Sequence, residues 1–473
     1  MPELFMSRLT SLFVARTSSR RVSKRLQSAA YGVIESLERR VLMSTNILVT
    51  GITDGAGTLT PEGGSNYDDT TLRGAINFAH TNGGSNTISF LSSLTGTISL
   101  SSANGPLILS QTNTKIQGLV GGGGTNVLSI SGQNLITVFE IDQGVTASID
   151  NLDVINGFTY DNGGGILNDL GTLTLSQCAI SDCTADVGGG IANDGGTLTL
   201  NQCTISGDST VNPNAPFGAT GVYNGGGIYN SGKLSITGGT IGTITGSTTS
   251  TTDSAYSNGG GIFNSSSGNA TLTNCAINGD SAGQTYEEGL GGGIYSIGTL
   301  TLFGCNVTYD TVNNSGGGIY AAGELTINGG QIQYDTAQFS GGGICNGYSD
   351  RSVNANIYGS PAYGSCNISS DSALEGAGGG IANFDGTLSL SQCTISGDHA
   401  ESSGGGIYNA GKITSISNGS QIISDVAGFS STTTPGNGSG GGIFNTGAMP
   451  SIMDSTISYD LAGSASGGGG GLR

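Results

Sequence analysis

The chain has no tryptophan, two histidines, eight prolines and only 14 Lys/Arg among 473 residues. Each scarcity excludes something. No run of 18 or more apolar residues occurs, so the sequence offers no membrane-spanning helix. Eight prolines beside 87 glycines, with no Gly-x-y period, exclude collagen. A hydrophobic share of 35% with only 10% charged residues is the reverse of a disordered composition. The few cations are also unevenly placed. Residues 1–44 hold eight Lys/Arg against three Glu, whereas residues 45–473 hold six against thirty Asp/Glu. The body therefore stands at −24. It cannot neutralise a phosphate backbone, and nucleic acid is excluded as a partner.

What the chain does have is a repeat. Gly-Gly-Gly-Ile recurs with its Ile at 166, 191, 228, 262, 294, 319, 344, 381, 407 and 443, spaced by 25 to 37 residues. Two copies, Gly188–Asp208 and Gly378–Asp398, differ at four of 21 positions. The minimal unit reads Gly-Gly-Gly-Ile-x-Asn, a Gly turn, Leu-x-Leu, then Cys-x-Ile-x-x-Asp and a variable loop. Alternation in Leu198-Thr199-Leu200 and Cys203-Thr204-Ile205 has period two, the mark of short strands with one buried face. No segment shows a sustained helical period. A unit of two or three such strands cannot bury its own apolar face, but units stacked in register can. The expected fold is all-β: a right-handed parallel β-helix, a single-stranded solenoid of pectate-lyase-like architecture. Coils rising about 4.8 Å each would build a rod of roughly 70 Å.

Three divisions follow. Residues 1–44 form a basic export or sorting segment. Residues 45–160 form an N-terminal cap and the first coils, and residues 161–473 form the Gly-Gly-Gly-Ile solenoid. Within a unit, the first Gly and the Cys-x-Ile position stand 14 to 16 residues apart in nine cases of ten. In the exception, Gly341 to Cys366, the distance is 25. Most insertions fall after the Asp, at Ser209–Asn224, Thr245–Asn258, Ser281–Leu290 and Ala427–Ser439. Loops at one corner of a solenoid form a lateral wall, a natural binding face. The final Gly467–Gly471 reads like the start of another unit, so the expectation is either a continuation in a longer protein or a coil end covered by a second copy or another partner, with end-to-end self-association as the result.

Three stretches carry a family resemblance. Leu37-Glu38-Arg39-Arg40-Val41-Leu42-Met43-Ser44 resembles the LEPR-XLL motif of planctomycete surface and secreted proteins, with Arg39 where that motif has Pro. Thr71-Leu72-Arg73-Gly74-Ala75-Ile76 resembles the CSLREA motif of bacterial β-helix surface proteins through Leu72, Arg73, Ala75 and Ile76. The repeat units are similar to those of chlamydial polymorphic outer membrane proteins. The resemblance implies a bacterial β-helix that is secreted or held at the cell surface or outer membrane.

The candidate chemistry lies in ladders, residue types repeated once per coil. Asn168, Asn193, Asn230, Asn264, Asn346, Asn383, Asn409 and Asn445 follow the repeat Ile and are suited to amide stacking. Six cysteines (178, 203, 275, 305, 366 and 393) share a slot with Gly239, Gly330, Ser420 and Ser455, which points to a tight inward position rather than thiol chemistry. Asp208, Asp280, Asp310, Asp335, Asp371, Asp398, Asp425 and Asp460 close the units. Neighbouring carboxylates about 4.8 Å apart repel, and either turn amides or bound calcium would offset this. The Gly-Gly-x-Gly-x-Asp pattern of calcium-bound helices is absent. Apart from that calcium alternative, no cofactor is implied. Tyr229, Phe263, Tyr295, Tyr320, Tyr408 and Phe444 form an aromatic stripe that would stack between coils or against sugar rings.

Two functions of different class remain. One is a non-catalytic extracellular or cell-surface structural and adhesive protein, presenting its loop wall to a polysaccharide or surface protein. The other is a polysaccharide lyase or glycoside hydrolase. The cations after residue 44 sit in no lyase- or hydrolase-like motif. Asp68-Asp69 and Glu287-Glu288 are the carboxylate pairs that could be nominated for hydrolysis.

Overall fold

A computed structural model describes residues 44–210, 223–243, 251–283, 289–347, 353–428, 438–463 and 470–471. The chain is an all-β right-handed parallel β-helix. Its described strands form four sheets of 15, 13, 12 and 10 strands. In the coil of Gly188, Ile191–Asp194, Thr197–Asn201, Thr204–Ser206 and Ser209–Thr210 follow one another round the helix. They belong in turn to sheet 4 (12 strands), sheet 1 (15), sheet 2 (13) and sheet 3 (10). Each strand pairs in parallel with its equivalent in the next coil, Ile191 with Ile228 and Leu198 with Leu234. The sequence reading had two or three strands per unit. The additional one is the residue pair after the Asp, too short to show alternation.

Register follows from the side chains. All ten repeat Ile residues are fully buried, as are Leu198, Leu200 and Ile205 to within 1%. A one-residue slip of any coil would turn this whole set outward, so the apolar column sets the stacking. The three glycines answer to three separate constraints. The first, as at Gly188, has φ +64°. A Cβ on the second, Gly189, would lie 2.4 Å from the Ser209 carbonyl oxygen. A Cβ on the third, Gly190, would lie 2.5 Å from Asp208 Oδ2.

The N-terminal end differs from the expectation of coils only. Strands β1 (Thr45–Thr53), β2 (Leu59–Gly63) and β3 (Asn66–Thr71) are followed by a helix, α1 (Leu72–Asn82). Strand β2 runs antiparallel to β3. Leu72, Ala75, Ile76 and Ala79 are buried, an i, i+3, i+4, i+7 stripe, and Thr71 caps the helix by accepting from the Gly74 amide at 2.9 Å. The helical period is present but lasts three turns, beneath what a repeat-dominated pattern makes visible. The CSLREA-like residues thus build a cover for the first coil. Arg73 locks it: its guanidinium donates to Asp54 Oδ1 (2.7 Å) and to the carbonyls of Gly105 and Pro106 (both 2.7 Å). Because the cap uses the chain up to residue 85 without completing coils, the 13 strands of sheet 2 span only about 60 Å at 4.8 Å each.

Among the described residues no helix is long and apolar enough to cross a membrane. Residues 1–43, including most of the LEPR-XLL-like stretch, lie outside the described residues. So do 211–222, 284–288 and 429–437, which fall between sheet 3 and the next Gly triplet. Residues 244–250 precede Asp253 and the sheet 3 strand Ser254–Ala255, so this insertion leaves from the corner before the other three.

Candidate functional site

The Asp residues stand at the corner between sheets 2 and 3, in a column along the rod. Each carboxyl accepts a hydrogen bond on Oδ1 from the amide of the equivalent residue one coil earlier. The Asp280 amide donates to Asp310 (2.7 Å), the Asp310 amide to Asp335 and the Asp335 amide to Asp371 (both 2.8 Å). The column holds two residues that the sequence reading did not place in it. Asp253 joins Asp208 to Asp280, accepting from the Asp208 amide at 2.8 Å, and the Asp253 amide donates to Asp280 at 3.1 Å. The insertion before Asp253 had hidden its equivalence. Cys183 occupies the first rung and donates its amide to Asp208 at 2.7 Å. Aligning Ser181-Asp182-Cys183-Thr184 with Ser206-Gly207-Asp208-Ser209 would have revealed it.

In the eight coils that the repeat singled out, Asp208 through Asp460, Oδ2 is buried and makes no hydrogen bond. It lies against the third Gly of its own unit, where a Cβ would come within 2.4–2.5 Å at Gly190, Gly293, Gly318 and Gly406. Burial drives these carboxyls towards the neutral acid, and the neighbouring Asp charges add to the shift in Asp208, Asp280, Asp335 and Asp398. Asp253 and Asp425 are pushed up to about 8, and Asp460, in the last coil, to about 6. Calcium asks for several converging oxygens. Here one oxygen per carboxyl is held by an amide and the other is pressed on a glycine. Among the described residues no group of three or more His, Cys, Asp or Glu could hold a metal ion.

The Asn column runs inside the corner between sheets 4 and 1. Asn168, Asn193, Asn230 and Asn264 are linked Nδ2 to Oδ1 at 2.7–2.8 Å, and Asn346, Asn383, Asn409 and Asn445 at 2.5–2.7 Å. Ser296 and Ala321 interrupt it. The eight cysteines are all free thiols and all buried.

The aromatic stripe lies on sheet 4. Tyr229, Phe263, Tyr295 and Tyr320 stack in sequence with ring centroids 5.0–5.4 Å apart, and Tyr408 stacks on Phe444 at 5.7 Å. Cys345 and Ala382 separate the two groups. Phe263 and Tyr320 are only 6% and 3% exposed, so their faces are taken by neighbouring coils. Of the carboxylate pairs, Asp69 is buried in the cap and holds the Thr71 amide at 2.9 Å, while Glu287-Glu288 lie outside the described residues.

A different face carries an open cleft. The unit with the anomalous 25-residue spacing inserts a turn, Ser360–Gly364, between its sheet 1 and sheet 2 strands. Tyr363 of this turn lies back over the preceding coils, its ring 5.3 Å from that of Phe303. Gly304 makes this approach possible, since a Cβ there would meet the ring at 3.0 Å. Beside the turn is a cleft of about 570 Å³ on the outer face of sheet 2, lined by Asn274, Asn306, Gln331, Tyr363, Asn367 and Thr394 among others. At the far edge of the same strands Tyr309 and Tyr334 stack face to face at 4.9 Å and remain 59% and 48% exposed. The spacing anomaly was the signal in the sequence; what it builds depends on the fold. No family model, curated protein or solved structure matches the chain.

Proposed function

We propose that this protein is a non-catalytic extracellular or cell-surface rod that presents its flank to a partner, an extracellular polysaccharide or a surface protein. The observation that carries the reading is how the carboxyls are used. A polysaccharide-cleaving β-helix needs acids and bases that reach the substrate. Here the recurring acid of each coil is turned inward, one oxygen on a backbone amide and the other against a glycine. The repeated polar side chains serve the stacking of coils, leaving the outside rich in Thr, Ser and Asn. The LEPR-XLL-like and CSLREA-like stretches and the likeness to polymorphic outer membrane protein repeats support export to a bacterial envelope or beyond.

Cell fractionation should place the full-length protein in the medium or envelope fraction. Incubation with a panel of plant, algal and bacterial polysaccharides should release neither unsaturated nor new reducing ends. Either product would replace this reading with a lyase or hydrolase.

A further inference from the structure

We infer that the cleft on sheet 2 binds a neutral polysaccharide chain lying along the rod, with the Tyr309–Tyr334 pair as an aromatic wall at the far edge of the same strands. The inference rests on the adhesive reading and gives it a site and a ligand class. Three independent features meet here.

The first is backbone conformation. Except before Asp253, the corner residue preceding an Asp rung is held left-handed, by glycine at Gly207, Gly279 and Gly397 and by serine at Ser370 and Ser424. Tyr309 and Tyr334 occupy the same position with φ +60° and +62°. A bulky residue there is strained, which glycine or serine in other coils lessens, and Tyr309 and Tyr334 are the two such residues that stand in adjacent coils. The rings are thrown clear of the rod and stack on each other, so that what they offer solvent is ring edge and the outer side of the pair.

The second is hydrogen-bonding capacity. The middle of the face is already satisfied: Gln333 donates to Ser369 at 2.7 Å and Thr308 to Asn278 at 3.2 Å. In the cleft, the side chains of Asn306, Gln331 and Asn367 make no hydrogen bond to another described residue. They stand in register one coil apart, Asn306 beside Gln331 and Gln331 beside Asn367. A row of carboxamides at about 4.8 Å offers donors and acceptors alternately along one line, which suits a ladder of sugar hydroxyls.

The third is charge. The sheet 2 strands from Thr204 to Ser458 carry no outward ionisable side chain, although the body is acidic throughout. An anionic chain would be repelled by the body, and a cationic one would meet no counter-charge in the cleft. From Asn274 to Thr394 the cleft crosses five coils, about 19 Å, enough for several linked rings. From Asn306 to Tyr309 along the strand is about 10 Å, so amides and rings reach the same ligand.

The test is calorimetric titration of the full-length chain with soluble hexasaccharides of glucose, mannose and xylose, with polygalacturonate as the anionic control. At least one neutral hexasaccharide should bind and polygalacturonate should not. The double variant Tyr309→Gly/Tyr334→Gly should weaken binding by at least ~10-fold, the loss expected of two stacking contacts. Its melting temperature should be no lower than that of the wild type, because glycine relieves the left-handed strain. Tyr459→Gly makes the same backbone change four coils away and should leave affinity unchanged. Gln331→Ala should weaken binding without altering the fold. Binding of no neutral glycan, preference for polygalacturonate, or wild-type affinity in the double variant would each overturn the inference. The adhesive reading would survive the first of these with a protein as partner, whereas cleavage of a hexasaccharide would end that reading instead.

Discussion

The cap and the solenoid both bury aspartate, and they do it in opposite ways. Asp54 in the cap is also drawn up by burial, but Arg73, the Ser101 amide and Asn104 hold it below its ordinary range as a carboxylate. The solenoid Asp residues meet no cation. Each rests on a backbone amide and a glycine, Asp253 with a second amide from Gly242, and burial holds it above its ordinary range. The cap is a single structure that can afford a dedicated partner. The column repeats along the whole rod, and a cation at every rung would need space that a 4.8 Å spacing does not provide. A buried carboxyl without a counter-ion is tolerable when it is protonated.

The largest effect should come from moving a carboxyl out of its slot. Ile205 and Asp208 are both buried, three residues apart in one coil. Ile205→Asp places an acid among stacked aliphatics with no amide to bind, and should cost at least about 4 kcal/mol in denaturant unfolding. A loss within about 0.5 kcal/mol, as for an exposed change such as Asn306→Ser, would mean that the wall accepts carboxyls anywhere.

Next is the clamp. Arg73→Met leaves Asp54 without its cation, only the Ser101 amide and Asn104 remaining, and the Gly105 and Pro106 carbonyls without their donor. It should cost about 2 kcal/mol and raise hydrogen exchange in α1 more than in the repeats. Uniform loosening along the rod would show that the cap is not a separate element.

The two regions should then answer pH with opposite signs. Asp54 has a lowered folded value, so its contribution is present above the unfolded carboxylate range near 4 and is lost as pH falls through the folded value. The column has raised folded values, about 6 for Asp460 and about 8 for Asp253 and Asp425. Its contribution is complete below about pH 4 and fades as pH rises through 6 to 8. Amide exchange from pH 4.5 to 8.5 should speed up in the sheet 2–sheet 3 corners relative to α1. A single trend throughout would remove the distinction.

The smallest effect sharpens the same point. Asp335→Asn keeps the Oδ1 acceptor and replaces the ionisable hydroxyl by an amide group that stays neutral, so stability at pH 4.5 should stay within about 1 kcal/mol of wild type. At pH 8.5 the variant should be the more stable by about 1 kcal/mol or more. A variant less stable at pH 8.5 would show that the charged form is the one the fold prefers.

The repeat made the solenoid legible because its code is local. Ile191 and Ile228 must lie on one face, since period-two strands allow no other stacking that hides both. The Asn, Cys and Asp columns follow from the same register. Asp253 and Cys183 escaped because an insertion and a changed residue type broke the spacing, while the backbone kept the slot. The helix α1 escaped because three turns of amphipathic pattern are brief beside ten repeats.

Coil, register and inward face are legible in the chain alone, since all are properties of neighbouring units that one repeat of about 25 residues already encodes. The sequence also marked the unit of Gly341 as anomalous. That this anomaly lays Tyr363 over Gly304, beside amides drawn from coils up to about 90 residues apart in the chain, emerges only on folding. Likewise only stacking brought each Oδ1 to the amide of the coil before and sealed Oδ2 from solvent. Burial and proximity across coils are sums over many units, and no single unit contains them.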